Sequence, residues 1–561
     1  MRSNVGGNVM DGVNTEWLPH LTSEVVSETE GNYLDAYVVA LEGWRRGLTL
    51  RWHVKDSEKF KEMKTWFVDQ PGQLFSLHSN NKDHYFFRTR GDKVTNEAVE
   101  KGMNKEATKS ILSKAGIPVP EGKQFTREDS EQAIIEYADK LGYPVVIKPT
   151  DGSFGRGVMS DISSEGELKF ALEYLRNELE ENEIIVEKYI PGNDYRLYIV
   201  GADVVGAIWR VPPNIVGDGI NSIKALIDIK NSERKLNPRL ANCPIKIDQE
   251  TIDYIRRSGY TLESVPEKDE VIYTNDKGNV SIGGDPIDVL DELSDEVKET
   301  AVAALQAIPG LTHGAVDLII AKDESGKEAG YVIELNPTAQ IGGILFPFKG
   351  QPRDVPKAII DYYFPETKNV GIEKKKIYFD FNKTLTPLIE NVSVVTELVN
   401  YPIGKIVGKE LNITNLDHTI HNILWLKNKA LQYNLNGSVR VSSDERIRII
   451  IVGDQQLINK FGVELNEKFM ENNITIEETV WNKPVKIGFQ AENIKKYLID
   501  ELDYLTEYKN QLHHQQRILE KEYYTMLNSI SWKITLPLRK ITGKIKDFYR
   551  LTFKGRQHTN F

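Results

Sequence analysis

Several residue types and patterns are scarce in this chain of 561 residues, and each scarcity excludes a class of protein. A single cysteine, Cys243, excludes an internal disulfide framework and a zinc site built on cysteines. No apolar run approaches the ~20 residues that span a membrane, and the N-terminal stretch MRSNVGGNVMDGVNTEW lacks the apolar region of a signal peptide. A net charge of −11 argues against a dedicated nucleic-acid-binding protein. We therefore expect a cytoplasmic protein of about three domains.

A glycine-rich stretch, KPTDGSFGRGV at 148–158, follows the apolar run VVI. It contains neither the P-loop pattern nor the GxGxxG dinucleotide pattern. Lys148, at the end of a predicted strand, can place a charge on the α- or β-phosphate of a nucleotide. The backbone N–H groups from Gly152 to Gly157 can approach the β- and γ-oxygens, because glycine lets the chain come close. A plain surface turn and a phosphate-binding loop both fit the stretch taken alone.

Three oxygen-bearing side chains lie in two apolar segments further along the chain. Asp317 belongs to GAVDLIIA, and Glu334 and Asn336 belong to AGYVIELN. The two segments predict adjacent strands, and Glu334 and Asn336 leave the same face because they alternate with Leu335. Hard oxygen ligands of this kind suit Mg²⁺, which often bridges phosphate oxygens. Because unpaired charge in an apolar strand is costly, the pattern favours a site for one or two ions over solvated strand residues.

Six segments give the chain a specific resemblance. In order they are NKEATK, VVIKPTDGSFGRGV, VEKYIPGNDYRLYIV, RVPPNIVGDG, GAVDLII and IELNP. Together they resemble the ATP-grasp superfamily, and within it the ATP-grasp domain of cyanophycin synthetase and of bifunctional glutathione synthetases. The resemblance covers about 104–366 and implies an α/β (α+β) fold whose two lobes hold ATP between antiparallel sheets. It further implies a ligase that uses ATP and Mg²⁺ or Mn²⁺ to join a carboxylate to an amine through an acyl phosphate.

The resemblance implies three sets of site residues. The nucleotide would be bound by Lys105, Lys148, the loop residues Gly152, Ser153, Gly155, Arg156 and Gly157, the adenine hinge Glu187, Lys188, Tyr189 and Ile190, and Asp194 at the ribose. Arg196 and Arg210 would be catalytic residues near the γ-phosphate or the acyl phosphate, and Asp317, Glu334 and Asn336 would bind the metal. Catalysis of this kind rests on positioning and charge neutralisation, without a protein nucleophile.

The chain also departs from both relatives. No P-loop motif follows the domain, as it does in cyanophycin synthetase, and only about 100 residues precede it. Asn275 and Asp276 stand where arginines are expected before GNVSIGG. We expect a different enzyme, which joins a small-molecule or polymer carboxylate to an amine or amino acid in cell-envelope polymer or peptide synthesis. A kinase-like enzyme that stops at phosphorylation and a non-catalytic ATP-binding scaffold are the alternatives.

The flanking segments predict further domains. Residues 25–103 are predicted to form a pre-ATP-grasp α/β domain before the ATP-grasp domain at 104–366, and 377–482 a second α/β domain. Within the latter, KALQYNLNGSVRVSSDERIRIIIVGDQQLINKF resembles the ferredoxin-like fold of acylphosphatases. Ile423 and Val441 take the positions of that family's phosphate-binding arginine and water-orienting asparagine. Neither side chain can do that chemistry, so we expect no acylphosphatase activity.

Two short motifs imitate other sites. IYFDFNKTLT at 377–386 resembles the DxDxT motif of aspartate-nucleophile phosphatases, but Asn382 replaces the second acid and cannot act as a general acid. We predict a strand that enters a loop. His418 and His421 have a spacing that could place both on one helical face, yet no third ligand is near in sequence. We predict that they are surface residues.

The C-terminal part of the chain changes character twice. Residues 490–527 predict one long helix with roughly heptad-spaced apolar positions, either solvated or self-associating into a homo-oligomer. Residues 528–561 are basic, and SISWKITLPLRKITGK resembles the C-terminal tails of bacterial glycosyltransferases that build surface polysaccharides. Such a tail could lie on an anionic membrane and hold the protein at its inner face. A disordered or self-docked tail is the alternative.

Overall fold

The computed structural model describes residues 16–150, 157–322, 326–402, 404–442 and 446–553. In the N-terminal part, one helix is the centre of the core: α2 is buried from Leu34 to Arg45. The buried residues include the charged Asp35, Glu42 and Arg45, so the helix is covered on every side although it is not apolar all round. The elements of this part are α1 (Ser23–Val26), α2 (Gly31–Arg45), β1 (Thr49–His53), β2 (Leu74–His78), β3 (Asp83–Phe87), β4 (Arg90–Gly91) and α3 (Asn96–Met103).

The next part is a four-stranded antiparallel sheet covered by two helices. These two helices and the helix that precedes the sheet each have an N-cap residue whose side chain accepts a hydrogen bond from a backbone N–H of the first turn. The N-cap residues are Asn104, Ser130 and Ser164. The elements of this part are α4 (Lys105–Lys114), β5 (Gly122–Phe125), α5 (Glu131–Leu141), β6 (Val145–Pro149), β7 (Met159–Ile162), α6 (Glu165–Glu173) and β8 (Ile184–Lys188). The strand order is β5-β8-β6-β7, and α5 and α6 share its core.

A five-stranded antiparallel sheet follows, in which Gly201 takes a positive φ of 66° in the tight turn between the first two strands. The elements are β9 (Asn193–Val200), β10 (Asp203–Val211), β11 (Asn214–Val216), α7 (Ile223–Arg234), α8 (Gln249–Arg257), β12 (Val271–Tyr273), β13 (Asp285–Asp288), α9 (Asp295–Gln306), β14 (His313–Lys322), β15 (Glu328–Asn336), α10 (Gly342–Leu345) and α11 (Val355–Tyr363). The strand order is β13-β10-β9-β14-β15. One face packs on α3 and α9, and the other joins the core around α2 through Tyr198, Ile208 and Ala315.

Residues 374–401 return to the N-terminal part. They form β16 (Ile377–Tyr378), α12 (Phe381–Ile389) and β17 (Val395–Glu397). β17 pairs with β1, so the N-terminal sheet has the order β17-β1-β2-β3-β4. Tyr37 Oη and Trp44 Nε1 of α2 donate to the carbonyls of Phe379 and Val399. This stretch, which the sequence led us to group with 377–482, packs against α2 and pairs with β1 of the N-terminal part.

The same stretch corrects one detail of the sequence interpretation. We predicted that the DxDxT-like motif enters a loop, but a nine-residue helix, α12, follows the short strand instead. Asp380 caps this helix by accepting a hydrogen bond from the backbone N–H of Lys383. The carboxylate therefore has a local structural role, as an N-cap that also contacts Lys486.

The following residues form a five-stranded sheet with two helices on one face. The elements are β18 (Ile406–Thr414), α13 (Ile420–Gln432), β19 (Asn436–Val441), β20 (Ile447–Asp454), α14 (Gln455–Lys468), β21 (Thr475–Val480), β22 (Val485–Lys486) and β23 (Phe489–Ala491). The order β21-β18-β20-β19 and the βαββαβ succession are those of a ferredoxin-like fold, with β23 added in parallel to β19. Ile423 lies in the core and His421 is exposed on the first turn of α13. Kinship with acylphosphatases stays a prediction.

Two long helices end the described chain, α15 (Ile494–Asn528) and α16 (Ile530–Phe553). Ser529 between them has an extended backbone, so the helices are distinct. The predicted long helix is thus present with slightly different bounds, and the basic tail is helical as far as Phe553. Over the described residues, neither these nor any other helices have the length and apolar character needed to cross a membrane.

Candidate active site

Two lysines predicted to bind nucleotide phosphates converge beside β6. Lys148 lies on β6 and its Nζ contacts Glu187 Oε2 on β8 at 2.6 Å. Lys105, the first residue of α4, donates from its Nζ to the carbonyl of Pro149 at 3.2 Å. One lysine thus belongs to β6 and the other contacts its last residue, just before the glycine-rich stretch. Such a pair of positive charges suits a polyphosphate.

The loop itself is described only at its end. Gly152, Ser153, Gly155 and Arg156 lie outside the described residues. Gly157 has a positive φ of 71°, and a Cβ there would stand 2.8 Å from Pro149 Cγ. Glycine is therefore required at this position for both its backbone conformation and its close contact with β6.

The predicted adenine hinge has its backbone donors partly committed to the sheet. The N–H groups of Lys188 and Tyr189 donate to the carbonyls of Glu121 and Pro144. The Lys188 side chain donates to the carbonyl of Gly142 at 2.6 Å, at the C-terminal end of α5, where a positive charge is favourable. Residues 189–192, which include Ile190, connect β8 to β9 and thus join the two sheets.

Six predicted site residues gather on one face of the five-stranded sheet. Asp317 on β14 is opposite Arg196 on β9 and Glu334 on β15 in the strand register. The Arg196 guanidinium makes a two-pronged contact with Asp317, with Nε–Oδ1 and Nη2–Oδ2 distances both 2.8 Å. Arg210 on β10 reaches Asp317 Oδ2 from Nη1 at 3.1 Å. Strand pairing therefore brings together residues that are more than 100 positions apart.

The cluster continues to either side of this centre. Arg210 Nη2 donates to Asp194 Oδ1 at 2.6 Å, so the residue predicted at the ribose lies beside the predicted catalytic arginines. On the other side, Asn336 Nδ2 donates to Glu334 Oε1 at 2.9 Å. The result is a cluster of two arginines, three carboxyl groups and one amide across four strands. The roles predicted for these residues stay predictions.

Burial and neighbouring charge shift the carboxyl groups of the cluster in opposite directions. Burial acts to raise the pKa of Asp317, but Arg196 and Arg210 outweigh it and hold that pKa well below its ordinary value. Burial, and then the negative charge of Asp317, raise the pKa of Glu334. Burial also raises the pKa of Asp194, against the effect of Arg210. Opposed shifts in neighbouring carboxyl groups are typical of functional sites.

The donor set fits a magnesium ion that also binds substrate phosphate. In the described parts of the chain, no three His, Cys, Asp or Glu side chains could hold a metal by themselves. Mg²⁺ in phosphate-transfer sites is usually held by one or two carboxylates plus the phosphates. Asp317 and Glu334, supplemented by the Asn336 amide, satisfy that requirement. In addition, Arg210 Nε is buried without a hydrogen-bond partner among the described residues, so the cluster retains a donor for an anion.

Sequence reasoning missed Lys109, which lies at the nucleotide side of the site. Its Nζ contacts Glu187 Oε1 at 2.9 Å, so Glu187 is held between two lysines. Burial favours the neutral acid, but Lys148 and Lys109 together keep the pKa of Glu187 below its ordinary value. Lys109 closes the NKEATK motif four residues after Lys105, and the i, i+4 spacing on a helix was a signal that could have revealed it.

Comparison with known proteins finds similarity over the central part of the chain. Residues 102–219 match the RimK-like ATP-grasp domain family. Cyanophycin synthetase of Synechocystis sp. is 35% identical over 272 residues, which are 48% of this chain and 31% of the relative. The bifunctional glutathione biosynthesis protein of Enterococcus faecalis is 31% identical over 316 residues, 54% of this chain and 41% of the relative. The chain thus spans about a third of the length of the first relative and two fifths of the second.

Among solved structures, a bifunctional glutathione synthetase from Pasteurella multocida has 28% sequence identity and a TM-score of 0.41. That match covers 52% of this chain and 41% of the other. ATP-grasp ligases in general use ATP and Mg²⁺. The chain is thus similar to the RimK-like ATP-grasp domain family over residues 102–219, and to cyanophycin synthetase over about half of its own length.

Proposed function

We propose that this protein is an ATP- and Mg²⁺-dependent ligase that joins a carboxylate to an amine. The observation that carries the proposal is the arginine–carboxylate–amide cluster on β9, β10, β14 and β15. The γ-phosphoryl group of ATP would pass to a carboxylate oxygen, which releases ADP and forms an acyl phosphate. The amine nitrogen would then attack the carbonyl carbon and expel phosphate, leaving an amide.

The lysines beside β6 and the residues of the cluster would have separate roles in this reaction. Lys105 and Lys148 would hold the nucleotide phosphates, with Lys109 and Glu187 fixing the position of Lys148. Arg196 and Arg210 would neutralise the charge on the transferred phosphoryl group. Asp317, Glu334 and Asn336 would hold one or two Mg²⁺ ions, with Mn²⁺ as a substitute. When bound, the metal neutralises phosphate oxygens as a Lewis acid.

The substrates would be a small-molecule or polymer carboxylate and an amine or amino acid, and the setting cell-envelope polymer or peptide synthesis in the cytoplasm. Two alternatives to the ligase predict different products. An ATP-grasp kinase would stop at the phosphorylated carboxylate, and a scaffold would bind ATP without turnover. The buried, charge-matched cluster favours catalysis over the scaffold, because keeping such groups together costs stability.

We expect ADP release to require a carboxylate and an amine together. The assay screens amino acids and uronic acids in pairs and measures ADP against reactions that lack one partner. Hydroxylamine serves as a generic amine, because it converts an acyl phosphate into a hydroxamate. A ligase gives ADP and amide in equal amounts with both substrates. Full ADP release with carboxylate alone would indicate the kinase, and ATP binding without ADP in every pair would indicate the scaffold.

The chain would act as a homo-oligomer through α15. Leu498, Leu505, Leu512, Leu519 and Met526 recur every seven residues, and each is 40–64% exposed. An apolar stripe exposed to water is unfavourable on an isolated helix. Pairing with the same helix of a second chain would bury the stripe in a coiled coil. Lys509 and Gln516 fall at the other core position of the heptad, where polar residues fix register at a cost in stability.

Replacing Leu505, Leu512 and Leu519 with serine should therefore halve or further reduce the mass per particle. Sedimentation equilibrium of the full chain measures this directly. The matched control replaces Tyr504, Ile518 and Tyr524, which are exposed on the same helix but off the stripe. If the stripe variant and the control have the same mass as the parent chain, association through α15 is wrong.

A further inference from the structure

The last described helix has a charge opposite to that of the rest of the molecule. α16 contains six Lys or Arg residues and a single acidic residue, Asp547, for a net charge of +5. Since the whole chain carries −11, the remainder carries −16. Positive charge is thus concentrated at one end of the described chain, where it would attract an anionic partner that the rest of the surface repels.

The same helix exposes a continuous apolar stripe. Ile534, Leu538, Ile541 and Ile545 are spaced by four, three and four residues, so they share one face of the helix. All four are 53–70% exposed. Lys540, Lys544 and Lys546 are exposed on the flanks and the opposite side of that face. A helix with an apolar face and a basic face is the form that lies in a membrane interface.

We propose that α16 binds an anionic lipid surface, with the α16 stripe of Ile534, Leu538, Ile541 and Ile545 among the acyl chains and the lysines at the headgroups. Long lysine side chains can extend from a partly immersed helix to the headgroup layer. The helix would lie in the plane of the surface.

Charge and the stripe together distinguish this occupant from two others. A second copy of α16 would bring two helices of +5 together, and like charges at that density repel. A nucleic acid would satisfy the lysines but would leave the α16 stripe in water, because phosphate contacts bury little apolar surface. Anionic lipid matches both features at once.

α15 is long enough to separate α16 from the acidic remainder of the protein. It is 35 residues long, which corresponds to about 50 Å of helix. Screening at physiological salt reduces charge interactions over ~8 Å, so a spacer of that length keeps the acidic body clear of an anionic surface. If two chains associate through α15, two copies of α16 face the surface together, and membrane binding by paired weak anchors is far more stable than by one.

Flotation of the full-length protein with vesicles tests the proposal. One set of vesicles is phosphatidylcholine alone and the other contains phosphatidylglycerol as well. We expect binding to the anionic set only, and its loss at high salt. Replacing Lys540, Lys544 and Lys546 with glutamine should weaken the partition coefficient on the order of 100-fold, since each basic residue near the surface contributes severalfold.

Matched variants make the outcome specific. The charge control replaces Lys460 of α14 and Arg517 and Lys521 of α15 with glutamine, an equal change of charge outside α16 and outside the heptad core positions, and should bind like the parent. The apolar variant combines Leu538→Gln with Ile541→Gln and should lose binding, because two members of the α16 stripe no longer favour the acyl chains.

Circular dichroism and ADP release verify that each variant is folded. Equal flotation with both vesicle sets, or equal loss of binding in the charge control, would overturn the proposal. Retention on RNA that survives the apolar substitutions would overturn it as well, because it would identify phosphate contacts alone as the function of the lysines.

Discussion

Glu334→Ala should reduce ADP release roughly 10³-fold or more, while the protein stays folded. Glu334 is one of two carboxylates in the cluster that could bind the metal, and its Oε1 accepts a hydrogen bond from the Asn336 amide. Removing it takes away a metal ligand, and with it the charge neutralisation on which phosphoryl transfer depends. Steady-state ADP release at saturating ATP measures the loss.

The same substitution should not lower thermal stability. Burial and the negative charge of Asp317 raise the pKa of Glu334, which means that the ionised side chain is unfavourable where it stands. Alanine relieves that repulsion, so the unfolding temperature should stay constant or rise. Glu328→Ala, at an exposed position of the same strand, is the matched control and should keep full activity. Parent-like turnover in folded Glu334→Ala would contradict the metal assignment.

Asp317→Ala should have the opposite signature, a large loss of stability together with the loss of activity. Asp317 is buried between Arg196 and Arg210, and its removal leaves two guanidinium groups without their common counter-charge. Breaking a buried ion pair from one side typically costs about 3–5 kcal/mol. For the sheet that carries the cluster we expect a fall in unfolding temperature of roughly 10 °C. Asp203→Ala, exposed on β10, is the control.

A second substitution and a pH series complete this prediction. Arg196→Met added to Asp317→Ala should recover part of the stability, because it removes one of the uncompensated charges. The folded-state pKa of Asp317 is depressed, so its contribution is complete above the unfolded value of ~3.9 and is lost as the pH falls below it. The stability gap between parent and Asp317→Ala should therefore narrow on acidification. A gap that is constant with pH, or absent, would contradict the ion-pair account.

The sequence was most informative where a local pattern decides the structure. Alternation in AGYVIELN placed Glu334 and Asn336 on one face, and the roughly heptad-spaced apolar positions of 490–527 indicated the long helix α15. These features depend on neighbours within a few residues, so they can be predicted directly from the chain.

Features that depend on distant residues could not be predicted in this way. Nothing near Arg196 in sequence indicates that its guanidinium is paired with Asp317, since only the β9–β14 register brings them together. The pairing of β17 with β1 was missed for the same reason. The motif around Asp380 was misinterpreted locally, because a short strand followed by a polar residue fits a loop and a capped helix equally well.

The closure of the N-terminal sheet by β17 has a consequence for synthesis of the chain. β17 is translated about 340 residues after β1, its partner. At typical elongation rates of about 5–20 residues per second, β17 is synthesised roughly 20–70 s after β1. During that time the edge of β1 is unpaired and part of the apolar surface of α2 is exposed. Meanwhile the nascent polypeptide presents an unpaired strand edge, which is a template for aggregation. Nascent chains that are truncated shortly before residue 395 should therefore depend on chaperones for solubility far more than chains truncated after residue 401.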